Sequence, residues 1–240
     1  MMLRAIFFDF NGVILDDEEH HCESLRRVLA EEGVTISREA YYRDCLGFND
    51  VECFQWAFAD PEGIRRAGGM EVLVGRKSAY YQELLKQNTR FFPGVVEFIR
   101  AAAQKYPLGL ASMALRSEID WTLREAGIER LFSAIVSGED VTRTKPDPEP
   151  YLEALERLNR AVAPGGRGAE VRPAECLVIE DSSQGIRSAK LAGMRVLGLT
   201  HSATAEEIRE ADWVFASLEG VALGIVEALF EAAPAGRGRA

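Results

Sequence analysis

The sequence predicts an α/β protein with a Rossmann-like, mainly parallel sheet, helices on both faces and a small all-helical domain inserted after the first strand. Residues 3–8 form an almost unbroken apolar run, which is typical of a strand buried on both faces. From residue 93 onward, short apolar runs alternate with helical patterns, as in right-handed β-α-β crossovers. Between these regions, residues 37–88 have helical periodicity and no strand pattern.

The first predicted strand stops at Asp9-Phe10-Asn11-Gly12. In an open parallel sheet, ligands bind beyond the carboxyl ends of the strands, so a carboxylate at Asp9 suits a nucleophile or a metal ligand. The same residues also fit an ordinary turn, because Asn-Gly is a strong turn signal. This stretch alone leaves both interpretations open.

A helical region follows the first strand. Acidic residues 16–19 precede a pattern that places Leu25, Val28 and Leu29 on one face and ends at Gly33. Further helical pieces extend to about residue 88. We expect a Rossmann-like core of residues 1–16 and 92–233, a helical cap domain of residues 17–91 and a flexible tail of residues 234–240.

The alternation of strands and helices resumes after Pro93-Gly94. The predicted strands are residues 108–111, 134–136, 176–179, 196–199 and 213–215. The predicted helices are residues 95–104, 117–126, 185–191 and 218–232, with another that begins at residues 145–148. We expect residues 164–168 to form a mobile surface loop.

The composition is that of an ordinary globular protein, with 47% apolar and 28% charged residues. A formal charge of −10 argues against nucleic acid or an anionic membrane as a partner, since both attract basic surfaces. No apolar run reaches the roughly 20 residues of a membrane span, and no signal peptide is visible, so we expect a cytoplasmic protein. The cysteines lack the close pairing of a zinc site, and we expect reduced, mostly buried thiols at Cys22, Cys45, Cys53 and Cys176.

Polar side chains follow three of the predicted strands. Asp9 and Asn11, Ser112, and Glu180-Asp181 stand at strand ends, and Lys145 lies in a loop on the same edge of a doubly wound sheet. Such residues form a divalent-cation site with a countercharge for an anion, and Mg²⁺ prefers oxygen ligands. Each side chain also has a simpler explanation, as a strand-end cap, a solvated lysine or an exposed acidic turn. Their joint placement favours the site.

These residues lie in motifs at 9–13, 111–112, 145–149 and 178–186, the last extending through 192–194. Over nearly its whole length the chain resembles the haloacid dehalogenase-like superfamily, in the phosphatase and phosphomutase branch with a small helical cap. The resemblance implies a Rossmann-like core, a Mg²⁺ cofactor and a small phosphorylated metabolite as substrate.

The resemblance also implies roles for individual residues. Asp9 would be the nucleophile that forms an aspartyl-phosphate, while Ser112 and Lys145 would bind the transferring phosphoryl group. The metal ligands would be Asp9, the backbone carbonyl of Asn11, and Asp181 with Glu180 behind it. The predicted substrate-binding residues are His21, Gly47 and Lys77 in the cap domain and Met113 and Arg116 in the core.

Asn11 departs from the family pattern. The phosphatases carry a second aspartate at this catalytic position, which protonates the leaving group and later activates water. A carboxamide cannot relay a proton at neutral pH, and such help is typically worth about 10²–10⁴ in rate. We expect a magnesium-dependent phosphatase of small phosphate esters, slow or compensated at Asn11. The alternatives are a sugar-phosphate mutase, whose two transfer steps both need the missing group, and a catalytically silent phosphate-binding or regulatory protein.

Overall fold

The computed structural model describes residues 2–46, 48–58, 60–162 and 170–232. Within these ranges, one sheet contains strands β1 (Ala5–Phe8), β2 (Leu108–Ala111), β3 (Phe132–Val136), β4 (Cys176–Glu180), β5 (Arg195–Leu199) and β6 (Trp213–Phe215). Its strand order is β3-β2-β1-β4-β5-β6, and all neighbouring strands run parallel. The predicted fold class is confirmed, and the sheet is wholly parallel where a mainly parallel one was expected.

The helices described between residues 91 and 232 are α6 (Val95–Ala103), α7 (Arg116–Glu125), α8 (Glu149–Val162), α9 (Ser183–Leu191) and α10 (Leu223–Ala232). Helices α1 to α5 come earlier in the chain and are given below. Successive side chains of a strand point to opposite faces of the sheet. Phe7 accordingly joins an apolar cluster with Tyr151 of α8 and Ile186 of α9. Phe8 instead packs edge-on against Phe98 of α6, with ring centroids 6.4 Å apart.

The chain divides into two compact units, one formed by residues 1–15 and 91–240 and the other by residues 16–90. The second, the helical unit, contains α1 (Glu18–Glu31), α2 (Arg38–Asp44), α3 (Asp50–Phe58), α4 (Pro61–Arg66) and α5 (Met70–Gln87). It has its own apolar core, in which buried side chains such as Leu25, Phe54 and Leu73 cluster. We call the other part the sheet unit.

Several predicted boundaries are wrong, including the starts of β3, α8 and α9. β1 begins at Ala5 and not at Leu3, although Leu3 is buried. The last helix begins at Leu223 and not at Leu218, because the Val221 N–H donates to the Leu218 carbonyl in a turn, 3.1 Å away. Buried Leu218 continues the apolar pattern of the helix although it lies outside it. The predicted loop 164–168 and tail 234–240 lie outside the described residues.

The cysteine prediction is confirmed. Cys22, Cys45, Cys53 and Cys176 are all free and all buried. Burial raises the pKa of Cys22 to about 11 and that of Cys176 to about 12, which keeps both as neutral thiols near pH 7.

Candidate functional site

The strand order reverses at the centre of the sheet. β1 pairs with β2 on one side and with β4 on the other, and Phe8 stands opposite Ile179 in the β1–β4 ladder. A reversal of this kind opens a crevice at the carboxyl ends of the two strands. Asp9 follows β1 at this point, and its N–H donates to the Ile179 carbonyl, 3.0 Å away. Glu180 and Asp181 occupy the same edge at the end of β4.

Three buried carboxylates meet in this crevice. Asp9, Glu180 and Asp181 each offer an oxygen, and these oxygens all lie within 4.8 Å of one another. Their side chains come from strand ends that are adjacent in space but far apart in sequence. The sheet topology therefore brings Asp9 to the Glu180-Asp181 pair from a distant part of the chain.

Lys145 supplies the countercharge. Its Nζ lies 2.5 Å from Asp9 Oδ1 and 2.7 Å from Glu180 Oε1, and the side chain is 8% exposed. The Tyr151 hydroxyl lies 3.2 Å from the same Nζ and donates to Glu180 Oε1 over 3.0 Å. One buried ammonium thus faces three carboxylates, and the cluster keeps an excess of negative charge.

Glu180 is fixed from both sides. Its Oε1 accepts from Lys145 and Tyr151, while its Oε2 accepts from the N–H groups of Asp181 and Ser182 and from the Ser182 hydroxyl. A Cβ at Gly185 would lie 1.6 Å from Glu180 Oε1, so position 185 in the first turn of α9 has room for glycine only. This carboxylate is held as a rigid part of the site.

Asp181 lies directly against the turn that follows Asp9. Gly12 adopts a φ of +77°, and a Cβ there would lie 1.9 Å from Asp181 Oδ2. Both the backbone conformation and the close approach require glycine at this position. His201 Nδ1–H donates to the Gly12 carbonyl over 2.7 Å, and the His201 ring stacks on Phe92. The turn and Asp181 are therefore packed as one piece.

Burial and neighbouring charges shift the pKa values of the four ionisable groups in this cluster. Burial raises the pKa of Asp9 to about 7, against the opposing charge of Lys145. Burial also raises the pKa of Asp181 well above its ordinary value, and the nearby carboxylates of Glu180 and Asp9 add to the shift. For Glu180, burial is outweighed by the Lys145 charge and the hydrogen bonds it accepts, so its pKa is lowered. Burial would lower the pKa of Lys145, but Asp9 and Glu180 raise it overall.

The donor set fits a hard divalent cation. Every ligand atom that the cluster offers is a carboxylate oxygen, which Mg²⁺ and Ca²⁺ prefer over nitrogen or sulfur. A cation would also favour the ionised forms of Asp9 and Asp181, whose pKa values are raised by burial. Glu180, whose two oxygens already accept hydrogen bonds, is placed to support such a site from behind.

Asn11 lies in the turn between Asp9 and Leu15. It is half-buried and forms an isolated bridge with Leu15. The Gly12 N–H donates to the Leu15 carbonyl over 3.0 Å, and the Ile14 and Leu15 N–H groups donate to the Phe10 carbonyl. The turn that the Asn-Gly pair indicated is therefore present, and Asn11 is part of it.

The remaining predicted residues of the sheet unit follow β2. Ser112 is buried, its N–H donates to the Val136 carbonyl, and its Oγ accepts from the Ala114 N–H over 3.1 Å. The hydroxyl therefore caps the strand end, and its hydrogen is still available to donate. Met113 is half-buried, and Arg116 pairs with Asp120 along α7 at 2.8 Å. Nothing in these contacts brings Met113 or Arg116 to the carboxylates.

Two predicted substrate-binding residues of the helical unit contact each other. Lys77 Nζ hydrogen-bonds His21 Nδ1, and His21 Nε2 lies 3.0 Å from Asp17 Oδ2. The His21 ring stacks on Tyr81, whose hydroxyl donates to the same Asp17 oxygen over 2.6 Å. Gly47, the third predicted residue, lies outside the described residues.

Sequence reasoning missed several residues that build the site. Tyr151 was not considered, because it lies on a helix that begins after the Lys145 loop and looks like an ordinary core residue. His201 and Ser202 follow β5, and Ser202 hydrogen-bonds Asp181. Polar residues that follow parallel strands gather at one edge of the sheet, and this rule, which pointed to Asp9, could also have found His201 and Ser202.

Known proteins resemble this chain over most of its length. The sequence model of the family described as haloacid dehalogenase-like hydrolase matches residues 6–199. A phosphorylated carbohydrates phosphatase of Thermotoga maritima is 33% identical over 83% of this chain and 87% of its own length. A validoxylamine A 7'-phosphate phosphatase of Streptomyces hygroscopicus subsp. limoneus is 28% identical over 92% of this chain and 96% of its own.

A solved structure has the same fold. The β-phosphoglucomutase of Clostridium difficile superimposes with a TM-score of 0.73, covering 96% of this chain and 98% of its own, at 22% identity. Among the helices that the structure describes, none has the length and apolar content needed to cross a membrane.

Proposed function

Because the chain belongs to the haloacid dehalogenase-like hydrolases and is a phosphoric monoester hydrolase, we propose that it hydrolyses small phosphate esters through an aspartyl-phosphate on Asp9. The observation that carries the proposal is the position of Asp9. It is buried beside Lys145, Glu180 and Asp181 at the strand-order reversal, where a phosphoryl group can reach it. The substrate class is a small phosphorylated metabolite, as the names of the relatives suggest.

Asp9 acts as the nucleophile in this scheme. One carboxylate oxygen attacks phosphorus, the ester oxygen leaves, and water later cleaves the acyl phosphate to release inorganic phosphate. Burial raises the pKa of Asp9, and a cation beside it would favour the reactive, ionised form of the carboxylate.

Lys145 and Ser112 would hold the transferring phosphoryl group. The Lys145 ammonium already lies against Asp9, so it stabilises negative charge on the oxygens of a group bonded there. The Ser112 hydroxyl can donate to the same group. Tyr151 and Glu180 keep the ammonium in place.

Magnesium is the proposed cofactor, with Asp9, Asp181 and the Asn11 backbone carbonyl as its ligands and Glu180 behind them. When bound, it would neutralise the phosphoryl oxygens and the carboxylates together. Gly12 has a specific part in this arrangement, because its missing side chain lets Asp181 approach the Asn11 turn.

Asn11 makes the enzyme slow on esters with poor leaving groups. Its amide can donate a hydrogen bond to the ester oxygen but cannot transfer a proton to it. The leaving groups of aryl and acyl phosphates depart without protonation, so the rate of the first step is affected least for these substrates. The asparagine at position 11 is also the reason to keep a second candidate function. In this alternative the chain is a catalytically silent phosphate-binding or regulatory protein.

A screen of phosphate esters with and without Mg²⁺ tests the proposal. We expect p-nitrophenyl phosphate and acetyl phosphate to be hydrolysed in Mg²⁺, alkyl phosphates more slowly, and none in excess chelator. Phosphate binding without hydrolysis of any ester would favour the silent binding protein. Conversion between sugar-phosphate isomers, without release of phosphate, would indicate a mutase.

A further inference from the structure

Two consecutive residues after β5 contact both sides of the proposed metal site. His201 Nδ1–H donates to the Gly12 carbonyl over 2.7 Å, and the Ser202 hydroxyl donates to the Asp181 carboxylate. Gly12 belongs to the turn that carries the Asn11 carbonyl. One dipeptide therefore reaches both the turn after β1 and the residue after β4, and the proposed chemistry gives neither of its side chains a role.

The direction of the Asn11 carbonyl depends on how Gly12 is held. The peptide bond between them is trans, so its C=O and N–H groups point in opposite directions. The Gly12 N–H is fixed on the Leu15 carbonyl, 3.0 Å away, and His201 fixes the next peptide group through the Gly12 carbonyl. Glycine has unusual backbone freedom, so both contacts are needed to keep its φ at +77° and the Asn11 carbonyl in one direction.

The Asp181 carboxylate is held by the second residue of the dipeptide. The last torsion of an aspartate has no sharp minimum, so a hydrogen bond is needed to fix the direction of the carboxylate oxygens. Ser202 supplies it. Both side chains also converge on Gly12, since a Cβ there would lie 1.9 Å from Asp181 Oδ2 and 2.9 Å from Ser202 Oγ. The three groups are in close contact.

The dipeptide is itself anchored to the sheet unit. The Thr200 N–H donates to the Phe215 carbonyl at the end of β6 over 3.0 Å. The His201 ring stacks on Phe92, with ring centroids 3.9 Å apart and planes 8° from parallel. The Phe92 N–H in turn donates to the Ile14 carbonyl over 3.2 Å. The two donors therefore come from a segment with fixed contacts on both sides.

We propose that His201 and Ser202 are positioning residues for the divalent cation, which hold the Asn11 carbonyl and the Asp181 carboxylate in a fixed arrangement before the cation binds. The inference rests on the proposed function, from which it takes magnesium and these two ligands. His201 acts through Gly12, and Ser202 acts through Asp181. Ligands that are already ordered bind a cation more tightly, because less freedom is lost on binding.

Two substitutions at His201 separate its donor from its ring. His201→Phe keeps an aromatic ring against Phe92 and removes the N–H, whereas His201→Asn removes the ring and keeps a side-chain N–H that can reach for the Gly12 carbonyl. Titration calorimetry of the whole chain with Mg²⁺ is the measurement. We expect the affinity to fall by about tenfold or more in His201→Phe and by less in His201→Asn. The opposite order would show that only the ring matters and would overturn the role of the donor.

Ser202 is tested in the same way. Ser202→Ala removes the hydroxyl and should lower Mg²⁺ affinity by about tenfold or more, whereas Ser202→Thr keeps the hydroxyl and should keep most of the affinity. The matched control is Ser217→Ala, which follows β6 and removes a hydroxyl that accepts from the Glu219 N–H over 3.2 Å. The control should bind Mg²⁺ as the wild type does. Unchanged affinity in Ser202→Ala would contradict the assignment.

A comparison of Mg²⁺ with Ca²⁺ distinguishes positioning from general damage to the fold. Mg²⁺ demands near-ideal octahedral geometry, whereas Ca²⁺ accepts flexible and irregular arrangements of oxygen ligands. The loss of affinity in His201→Phe and Ser202→Ala should therefore be larger for Mg²⁺ than for Ca²⁺. Equal losses for the two ions would show that the variants disturb the site as a whole, and the positioning role would fail.

Metal binding separates failure of this inference from failure of the proposed function. The affinities are measured without any ester, so they test the positioning role even if the chain hydrolyses none. If p-nitrophenyl phosphate is hydrolysed in Mg²⁺ but both His201→Phe and Ser202→Ala bind Mg²⁺ as the wild type does, the proposed function stands and the positioning role is overturned. A wild-type chain that binds neither ion would overturn the cofactor together with the positioning role.

Discussion

Each unit of the molecule buries one lysine among carboxylates, but the two lysines have different surroundings. Lys145 of the sheet unit lies between Asp9 and Glu180, and Asp181 adds a third carboxylate to the same cluster. Lys77 of the helical unit pairs with Asp50 and hydrogen-bonds His21 Nδ1. The first site gathers more negative charge than its lysine can balance, whereas Lys77 is balanced by its immediate neighbours.

The difference indicates what each site can do. In the sheet unit burial raises the pKa values of Asp9 and Asp181, and neighbouring carboxylates add to the shift, which is typical of groups arranged for chemistry or for a metal ion. In the helical unit, hydroxyls of Tyr41 and Tyr81 satisfy the carboxylates of Glu18 and Asp17. The sheet unit therefore has the charge arrangement of a reactive centre, and the ionic groups of the helical unit are satisfied by their neighbours.

The largest expected effect comes from the nucleophile. Asp9→Asn should lower phosphatase activity by at least about 10³-fold on every ester, because an amide oxygen is a poor nucleophile. Release of inorganic phosphate is the measurement, and Asp44→Asn in the helical unit is the control that should keep activity. Wild-type turnover in the Asp9→Asn variant would exclude the covalent mechanism.

Asn11 gives the next largest effect, in the opposite direction. Asn11→Asp should raise turnover of alkyl phosphates by about 10²–10⁴, because it restores a group that can protonate the leaving oxygen. Aryl phosphates should gain less in the first step, although hydrolysis of the aspartyl-phosphate should speed up for all substrates. Equal turnover of alkyl phosphates by both proteins would show that another group relays the proton.

Deamidation could blur that comparison, because Asn-Gly pairs convert to aspartate when the glycine nitrogen attacks the side chain. Here the Gly12 N–H is held by the Leu15 carbonyl, 3.0 Å away, inside a turn with several further hydrogen bonds. We expect the folded protein to keep Asn11. Peptide mass spectrometry of stored samples checks this before any kinetics are interpreted.

A substitution at Gly12 tests whether Mg²⁺ binding by the sheet unit depends on close packing around Asp181. A Cβ in Gly12→Ala would clash with Asp181, so we expect Mg²⁺ affinity to fall by about 10–100-fold. Gly33 is the matched control, since its φ is +75° and nothing lies within 4 Å of an added Cβ. Both variants share the backbone strain, of about 1 kcal/mol. If calorimetry finds the same loss of affinity in both, strain alone explains it.

Much of this site could be predicted because parallel strands end at a common edge. That rule located the cluster of Asp9, Glu180 and Asp181 from apolar runs alone, and the α/β class followed from the same runs. The rule gives no distances, so it could not predict that Lys145 bridges Asp9 and Glu180 while Ser112 caps its own strand.

The helical unit was less accessible to sequence reasoning. Apolar periodicity indicated its helices, but which polar faces meet depends on how the helices pack. The pairing of Lys77 with Asp50 joins α5 to the start of α3, and no local pattern encodes it. Only the resemblance pointed to His21 and Lys77, and it did not point to Asp50.

The smallest expected effect concerns stability and pH in the absence of metal. The pKa of Asp9 is raised to about 7 and that of Asp181 is also raised, so the folded protein holds protons that the unfolded chain releases above about pH 4. Their contribution to the free energy of unfolding is therefore present at low pH and is lost as pH rises through about 7. In chelator, the wild-type Tm should fall between pH 5 and pH 8.

The Asp181→Asn variant isolates this effect, because an amide at position 181 neither titrates nor repels Asp9. Its Tm should fall by several degrees less over the same pH range, while groups that titrate elsewhere contribute equally to both proteins. Adding Mg²⁺ should raise the wild-type Tm most at pH 8, where the carboxylates are ionised, and should affect the variant less. Thermal unfolding followed by circular dichroism gives both curves. Parallel curves in chelator would mean that the pKa of Asp181 is not raised in the folded protein, and the contrast with the balanced charges of the helical unit would fail.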